Sequence, residues 1–547
     1  MLTRRRFAQL SAAVAAAGCS GGAPDIIIHG GPIYTGVAAM PRVDAVRISG
    51  GRFTLAGALS DARSGGLARE IDLGGAAAFP GFMDSHAHLT AVGMAALQLD
   101  LVGAPSLAAL QQALGAYARA HPGRPILGRG WIETHWPEQR FPTRADLDAV
   151  VSDQPVLLGR IDGHAAVANS AALSLAGIDA ATPNPEGGRI ERDAAGVATG
   201  MLIDNAEALV ASRMPAPDAA ARREALRQAV DLYAQRGWTA ACFMSANAED
   251  VQFLQDFAAR DELPLRVDLY LAPEESDALF AGGPSGEGRV HVRGVKLYMD
   301  GALGSRGAAL LAPYADARSE GLLVTPVETL RGYLRRAREG GLQVATHAIG
   351  DRGNRLVLDA YRDVFADDPA ALAAARWRIE HAQVIDPLDI PRFAQMGVIA
   401  SMQPSHAISD LHFAPARLGQ SRLGGAYAWR ALLASGAVIA AGSDAPVERG
   451  DPLIEFYAAA YRRDLQGFAG PDWRADEAVT RFEALRMLTW GGAFSVFQEA
   501  ERGVIAPGRV ASLSAFSADL MTAQPAAIPG ARAVLAICDG AITHQAL

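Results

Sequence analysis

Two histidines one residue apart, His86 and His88, close the run Pro80-Gly81-Phe82-Met83-Asp84-Ser85-His86-Ala87-His88. On a strand, alternate side chains share a face, so both imidazoles would point the same way at its C-terminal end. Neutral imidazoles held side by side suit Zn²⁺ or a similar divalent metal. The competing reading is a pair of histidines that only cap a strand. Later apolar runs repeat the arrangement. His347 follows Thr346, His381 ends Ile379-Glu380-His381, Asp444 follows Gly442-Ser443, and Lys296 lies within Gly294-Val295-Lys296-Leu297-Tyr298. Each of these residues falls on, or at the end of, a different expected strand.

The strands that would carry them are read at 78–84, 239–244, 266–271, 294–300, 343–347, 378–381, 398–403 and 438–444. Ala/Leu/Arg-rich helical stretches alternate with them, which is the pattern of parallel βαβ units. Eight such strands make an α/β fold that closes as a (β/α)₈ TIM-like barrel, whose active sites form at the C-terminal strand ends. Two further apolar runs, 125–131 and 155–161, exceed that count. They predict an insertion at about 100–225, folded over the barrel mouth. Short β-rich runs at both ends of the chain predict a composite β-sandwich of 25–78 with 496–547, leaving 79–495 for the barrel.

The chain has 547 residues, half of them hydrophobic, and a formal net charge of −9. It is long enough for a large core. No basic stripe interrupts the mild acidity, which argues against a nucleic-acid partner. Its three cysteines, Cys19, Cys242 and Cys538, are too few for a disulfide framework, and the last two sit in apolar runs as packing thiols. Residues 1–22 read as an export signal and tether, with Arg4-Arg5-Arg6 ahead of an Ala-rich stretch. Thr3-Arg4-Arg5-Arg6-Phe7 resembles a twin-arginine signal. Ala16-Ala17-Gly18-Cys19 resembles a lipoprotein box, so Cys19 is a candidate for lipidation, with plain cleavage as the other outcome. Both place the protein in the cell envelope, on the periplasmic side. A lipid on Cys19 would be its sole tie to the membrane, since no other segment offers ~18 uninterrupted apolar residues. Oligomeric state is not legible.

The order HxH, Lys, His, His, Asp resembles the amidohydrolase superfamily. Finer stretches resemble its YtcJ-like branch (amidohydrolase family 3), which includes N-substituted formamide deformylases: PGFMDSHAHL, GRIDGHAAVANSAAL, GVKLYMDGALGSRGAAL, THAIGDRGN, RIEHAQ, SMQPSH and GSDAPV. The resemblance spans nearly the whole chain after the signal. It implies a metal-dependent hydrolase of amide-like, non-peptide carbon–nitrogen bonds in a small N-acyl or N-formyl compound. His86 and His88 would hold one metal, and His347 and His381 a second. Lys296 would bridge the two as a carbamate. Asp444 would both bind metal and act as general base, taking a proton from the attacking water and returning it to the leaving nitrogen. One or two divalent ions, Zn²⁺ by ligand type, are the implied cofactors. For Lys296 the other reading is a salt bridge to Asp300.

Six more residues bear on the site. His164 ends Arg160-Ile161-Asp162-Gly163-His164 and would either reach the substrate or fasten the insertion. Gln403 and His406 follow the seventh strand and would contact substrate. Trp131 would line the pocket or pack as an ordinary core aromatic. Asp351 and Glu380 read as ion-paired groups that orient ligands. A lactone or ester hydrolase is the runner-up activity, and a non-catalytic envelope binding protein is the reading from another class. A decayed site should lack a ligand, and none of the six ligand-type residues is missing.

Overall fold

The computed structural model describes residues 24–161, 164–185, 187–471 and 473–547. Cys19 and the signal read at 1–22 lie outside the described residues. The chain divides into two compact units, Leu89–Val230 and the remainder, which runs to His88 and resumes at Asp231.

The larger unit carries a sheet whose path runs through eight parallel strands: β1 (Phe82–Ala87), β2 (Trp238–Ala246), β3 (Arg266–Leu271), β4 (Val290–Tyr298), β5 (Gln343–Ala348), β6 (Arg378–His381), β7 (Ile399–Met402) and β8 (Ile439–Ala441). Each pairs with the next in sequence order. These strands are buried almost throughout, as parallel strands covered on both faces must be. Past β8 the chain returns to β1. Asp444 N donates to His86 O at 2.7 Å and His88 N donates to Ala445 O at 2.9 Å, which brings the sheet round into an α/β barrel. Gly442 allows this approach, because a Cβ there would stand 2.4 Å from His86 N.

The expected first strand at 78–84 is in fact two strands in two sheets. Ala77–Pro80 pairs with Leu513–Phe516 and with Ile33–Tyr34, while β1 begins only at Phe82. The break is at Gly81, where a Cβ would lie 2.3 Å from Thr239 Oγ1 and 2.8 Å from the Ser512 Cβ. The apolar run is continuous, so hydrophobicity alone hid the change of sheet.

Two outer sheets share one core. One is built from Arg52–Gly57, Ala45–Ser49, Ile26–His29 and Arg69–Asp72. The other joins both ends of the chain, setting Ala77–Pro80 beside Leu513–Phe516, followed by Ala533–Cys538 and Ala541–Gln545. Ile28, Val46, Phe53, Leu513, Leu535 and Ile537 pack between them.

The unit Leu89–Val230 has its own six-stranded mixed sheet. Ile126–Trp131 and Val156–Arg160, the two runs in excess of the barrel count, lie side by side and parallel in it. Helix Leu107–Ala120, capped by Ser106, contributes Leu107, Leu110 and Leu114 to one core, and Leu157, Ala172 and Leu202 belong to another.

Candidate active site

The C-terminal ends of β1, β4, β5, β6 and the chain after β8 bring six side chains together. Lys296 Nζ lies 3.3 Å from His86 Nε2. His88 Nε2 and His86 Nε2 lie 3.2 and 3.5 Å from Asp444 Oδ1. The ring of His381 sits 4.8 Å from that of His86 and 4.5 Å from that of His347. The backbone bends sharply where the ligands emerge: His381 has φ 73° and Asp444 φ 59°. Left-handed geometry costs a non-glycine residue about 1–3 kcal/mol and persists where the surroundings impose it.

Three imidazoles share one arrangement. The Nδ1–H of His86 donates to Glu380 Oε2 at 2.6 Å, that of His88 to Met244 O at 3.1 Å, and that of His381 to Gln403 Oε1 at 2.8 Å. All three acceptors are oxygens that can only accept, so each ring keeps its proton on Nδ1 and its lone pair on Nε2, which in His86 and His88 faces Asp444. Burial and then the Lys296 charge push His86 down to about 4 and His347 down to about 3. Uncharged imidazole is the ligating form. Burial likewise lowers Lys296 to about 8.

Glu380 is held in turn by Arg378, at 2.8 Å from Nε and 3.0 Å from Nη2. Arg378 is wholly buried inside the barrel, reaching Ser85 O at 2.6 Å, Ser401 Oγ at 2.7 Å, Tyr270 OH at 3.3 Å and Cys242 Sγ at 3.4 Å. Its guanidinium therefore touches β1, β2, β3 and β7. Arg378 above all could not be singled out from the sequence, because RIEH reads as ordinary strand alternation. Asp84 was missed in the same way. It accepts from Ser443 N at 2.8 Å, Ser443 Oγ at 2.5 Å and Tyr233 OH at 3.0 Å, fixing the residue before Asp444 against β1. Burial raises its carboxyl to about 6.

The salt-bridge reading of Lys296 is not what the structure has. Asp300 instead accepts from the backbone N–H groups of Ala309, Ile349 and Gly350 at 2.8, 2.9 and 2.9 Å. His347 Nε2 stands 3.7 Å from Asp300 Oδ1. Among the described residues no carboxylate forms an ion pair with Lys296, whose ammonium end lies 5.2 Å from the Tyr298 ring centre.

His406 joins the cluster directly. Its Nε2 lies 3.5 Å from Asp444 Oδ2, its ring stacks on His381 at 5.9 Å, and Gln383 Nε2 stands 2.9 Å from its Nδ1. Gln403 meets His381 rather than open space. His164 and Trp131 belong to the unit Leu89–Val230. His164 is exposed, with Nδ1 2.9 Å from Asp204 Oδ1. Trp131 is fully buried against Trp136, and its indole N–H donates to Leu158 O at 2.8 Å; these are the surroundings of a packing aromatic.

The donor set fits a cation. His86, His88 and Asp444 offer atoms all within 4.8 Å of one another, as do His381, His406 and Asp444. His347 Nε2, His406 Nε2 and Asp444 Oδ1 are buried with no hydrogen-bond partner among the described residues. Buried polar atoms are nearly always satisfied, and here an ion or a bound ligand would satisfy them.

The sequence profile described as "Amidohydrolase family" matches residues 69–544. The Bacillus subtilis (strain 168) protein YtcJ is 35% identical over 95% of this chain and 99% of its own. N-substituted formamide deformylase of Arthrobacter pascens is 27% identical over 95% of this chain and 98% of its own. Among solved structures, an uncharacterized metal-dependent hydrolase from Pyrococcus horikoshii OT3 superposes with a TM-score of 0.74 at 29% identity, covering 92% of this chain and 99% of that one.

Proposed function

Since the chain belongs to the amidohydrolase family of metal-dependent hydrolases, we propose that it cleaves amide-like, non-peptide carbon–nitrogen bonds in small N-formyl or N-acyl compounds. The observation that carries this is the convergence of His86, His88, Lys296, His381 and Asp444 on one buried space. His86, His88 and Asp444 would hold one divalent metal, Zn²⁺ by ligand type, and His347 with His381 a second. Such a metal supplies a Lewis acid that polarises a carbonyl and lowers the pKa of water.

The chain's own residues do the rest. Asp444 accepts the proton of the water that attacks the carbonyl carbon, then delivers it to the nitrogen as the C–N bond breaks. Glu380, Met244 O and Gln403 hold three imidazoles in their inward-facing form. Lys296 carries a carbamate: its uncharged amine attacks CO₂, the new N–C bond forms as one C=O π bond opens onto oxygen, and the surplus N–H proton passes to water. Its burial without a carboxylate partner supports that reading. The resemblance of the chain to a deformylase supports an N-formyl or N-acyl substrate. Export, with or without a lipid on Cys19, is supported by the residues of 1–22 alone, and fractionation of cells expressing the tagged chain checks it.

A screen of N-formyl and N-acyl amines, lactones and simple esters, run with wild type and Asp444→Asn, tests the function. Amide turnover lowered about 10²-fold or more in the variant is the expected result. Turnover of lactones or esters alone, or amide turnover undiminished in Asp444→Asn, would overturn it.

A further inference from the structure

We propose that His406 serves this site as a hydrogen-bond donor to the substrate's carbonyl oxygen, not as a metal ligand, and that Gln383 fixes it in that form. The inference rests on the hydrolytic reading above. By distance alone His406 and His381 are equivalent, since both stand with Asp444 in one group of close ligand-type atoms. The position of one proton separates them.

His381 gives its Nδ1 proton to the oxygen end of a glutamine, Gln403 Oε1 at 2.8 Å. His406 meets the nitrogen end of one, Gln383 Nε2 at 2.9 Å from Nδ1. An amide nitrogen donates and cannot accept, so Nδ1 of His406 must be the acceptor. A neutral imidazole has one N–H, and in His406 it is therefore on Nε2. That nitrogen has no lone pair left for a metal. It is buried, has no hydrogen-bond partner among the described residues, and lies 3.5 Å from Asp444 Oδ2, so its N–H is aimed into the space where the general base works.

Both glutamines are buried, and the fold holds them in place. Gln383 lies two residues past His381, where the backbone turns at φ 73° and 44° through His381 and Ala382. Its carbonyl accepts Tyr427 N at 2.6 Å, which anchors the residue from the far side. His406 is on the helix Pro404–Asp410 that leaves β7, and its ring lies nearly parallel to His381, at 11°, so it cannot swing without breaking that stack.

The chemistry calls for such a donor. Attack on an amide carbonyl puts negative charge on its oxygen, and a preorganised N–H beside that oxygen stabilises the charge as it develops. No proton need be transferred: the Nε2–H bond stays intact while its hydrogen bond to oxygen strengthens, and Asp444 alone carries the mobile proton. Gln383 acts through His406 and is a positioning residue.

The test uses the full chain, purified with zinc, as wild type, His406→Phe, His406→Gln and His381→Phe. Zinc per chain is measured by mass spectrometry after gel filtration, and kcat and KM on whichever N-acyl amine the screen above turns over fastest. Zinc content of His406→Phe should equal that of wild type while His381→Phe loses metal. The kcat of His406→Phe should fall about 10²-fold, the usual loss for one such donor. His406→Gln, whose amide nitrogen reaches the place of Nε2, should recover at least tenfold of that loss, which a merely structural role or a ligand role would not allow. Zinc lost from His406→Phe and from the volume-conserving His406→Gln at unchanged thermal unfolding, with wild type loaded, overturns this inference alone. So does full kcat in His406→Phe. A wild-type chain that holds no zinc overturns the hydrolytic reading and this inference with it.

Discussion

Glu380 Oε2 lies 2.6 Å from His86 Nδ1, with both side chains sealed from solvent. The same carboxylate accepts two bonds from Arg378, so one charge both orients a ligand histidine and neutralises a guanidinium in the barrel interior. Arg378 and His86 compete to pull the Glu380 carboxyl below the usual range, against burial, which alone would raise it.

Two substitutions separate those duties. Glu380→Gln keeps an acceptor for His86 but removes the charge, and metal affinity should fall about 10- to 100-fold, the usual effect of losing a partner behind a ligand; competition with a chromophoric chelator reads it. Glu380→Ala leaves Arg378 buried and unpaired and should cost about 3–5 kcal/mol in denaturant unfolding.

Asp444→Asn should lower kcat about 10²- to 10⁴-fold, the range for a positioned acid–base group. Steady-state kinetics on the best amide of the screen, beside thermal unfolding that shifts by only a few degrees, would check it.

Gly442→Ala attacks the seam between β8 and β1. The new Cβ would meet His86 N at 2.4 Å and Asp84 Oδ1 at 2.8 Å. Backbone cannot yield as a flexible side chain would, so we expect a loss of about 1–3 kcal/mol together with weakened metal binding, measured by urea titration and metal analysis.

Removal of metal by dialysis against dipicolinate should abolish amide turnover, and Zn²⁺ with bicarbonate should restore it. Restoration by Zn²⁺ in rigorously CO₂-free buffer, to the same level, would count against a carbamate on Lys296.

One pH effect is expected within the unit Leu89–Val230. Asp146 accepts two bonds from Arg140, both 2.8 Å, and bonds from Thr143 N and Oγ1, both 2.7 Å. Arg140 first, then Thr143, outweigh burial and lower its carboxyl from 3.8 to about 2. A carboxyl lowered on folding stabilises above its unfolded value, and that contribution is lost as pH falls from 3.8 through about 2. Arg140 is half exposed and screened, so Asp146→Asn should cost only about 1 kcal/mol at pH 7. The two chains should converge near pH 2, read by hydrogen exchange across the helix Arg144–Asp148.

The barrel and its ligand-type residues were legible because the chemical side chains interrupt or end apolar runs. His86, His347, His381 and Asp444 announce themselves by being polar where such runs stop, and Lys296 by standing inside one. What supports them was not legible, for three different reasons. Arg378 points into the barrel from within a strand, where a charged residue is normally an outward one. The change of sheet at Gly81 depends on Thr239 and Ser512, neither of them near in sequence. Which end of Gln383 and Gln403 faces each histidine is a matter of tertiary placement, and the two residues look alike in sequence.

The bonds that join β8 to β1 run through His86 and Asp444 themselves, by Asp444 N to His86 O and His88 N to Ala445 O. Residues more than 350 positions apart in the chain thus meet only when the last strand docks. A molecule paused short of that step would have every strand but the last in place and would lack Asp444, its general base. Competence and completion of the ring become one event, and a nascent or partly opened chain would be inert towards whatever amides surround it.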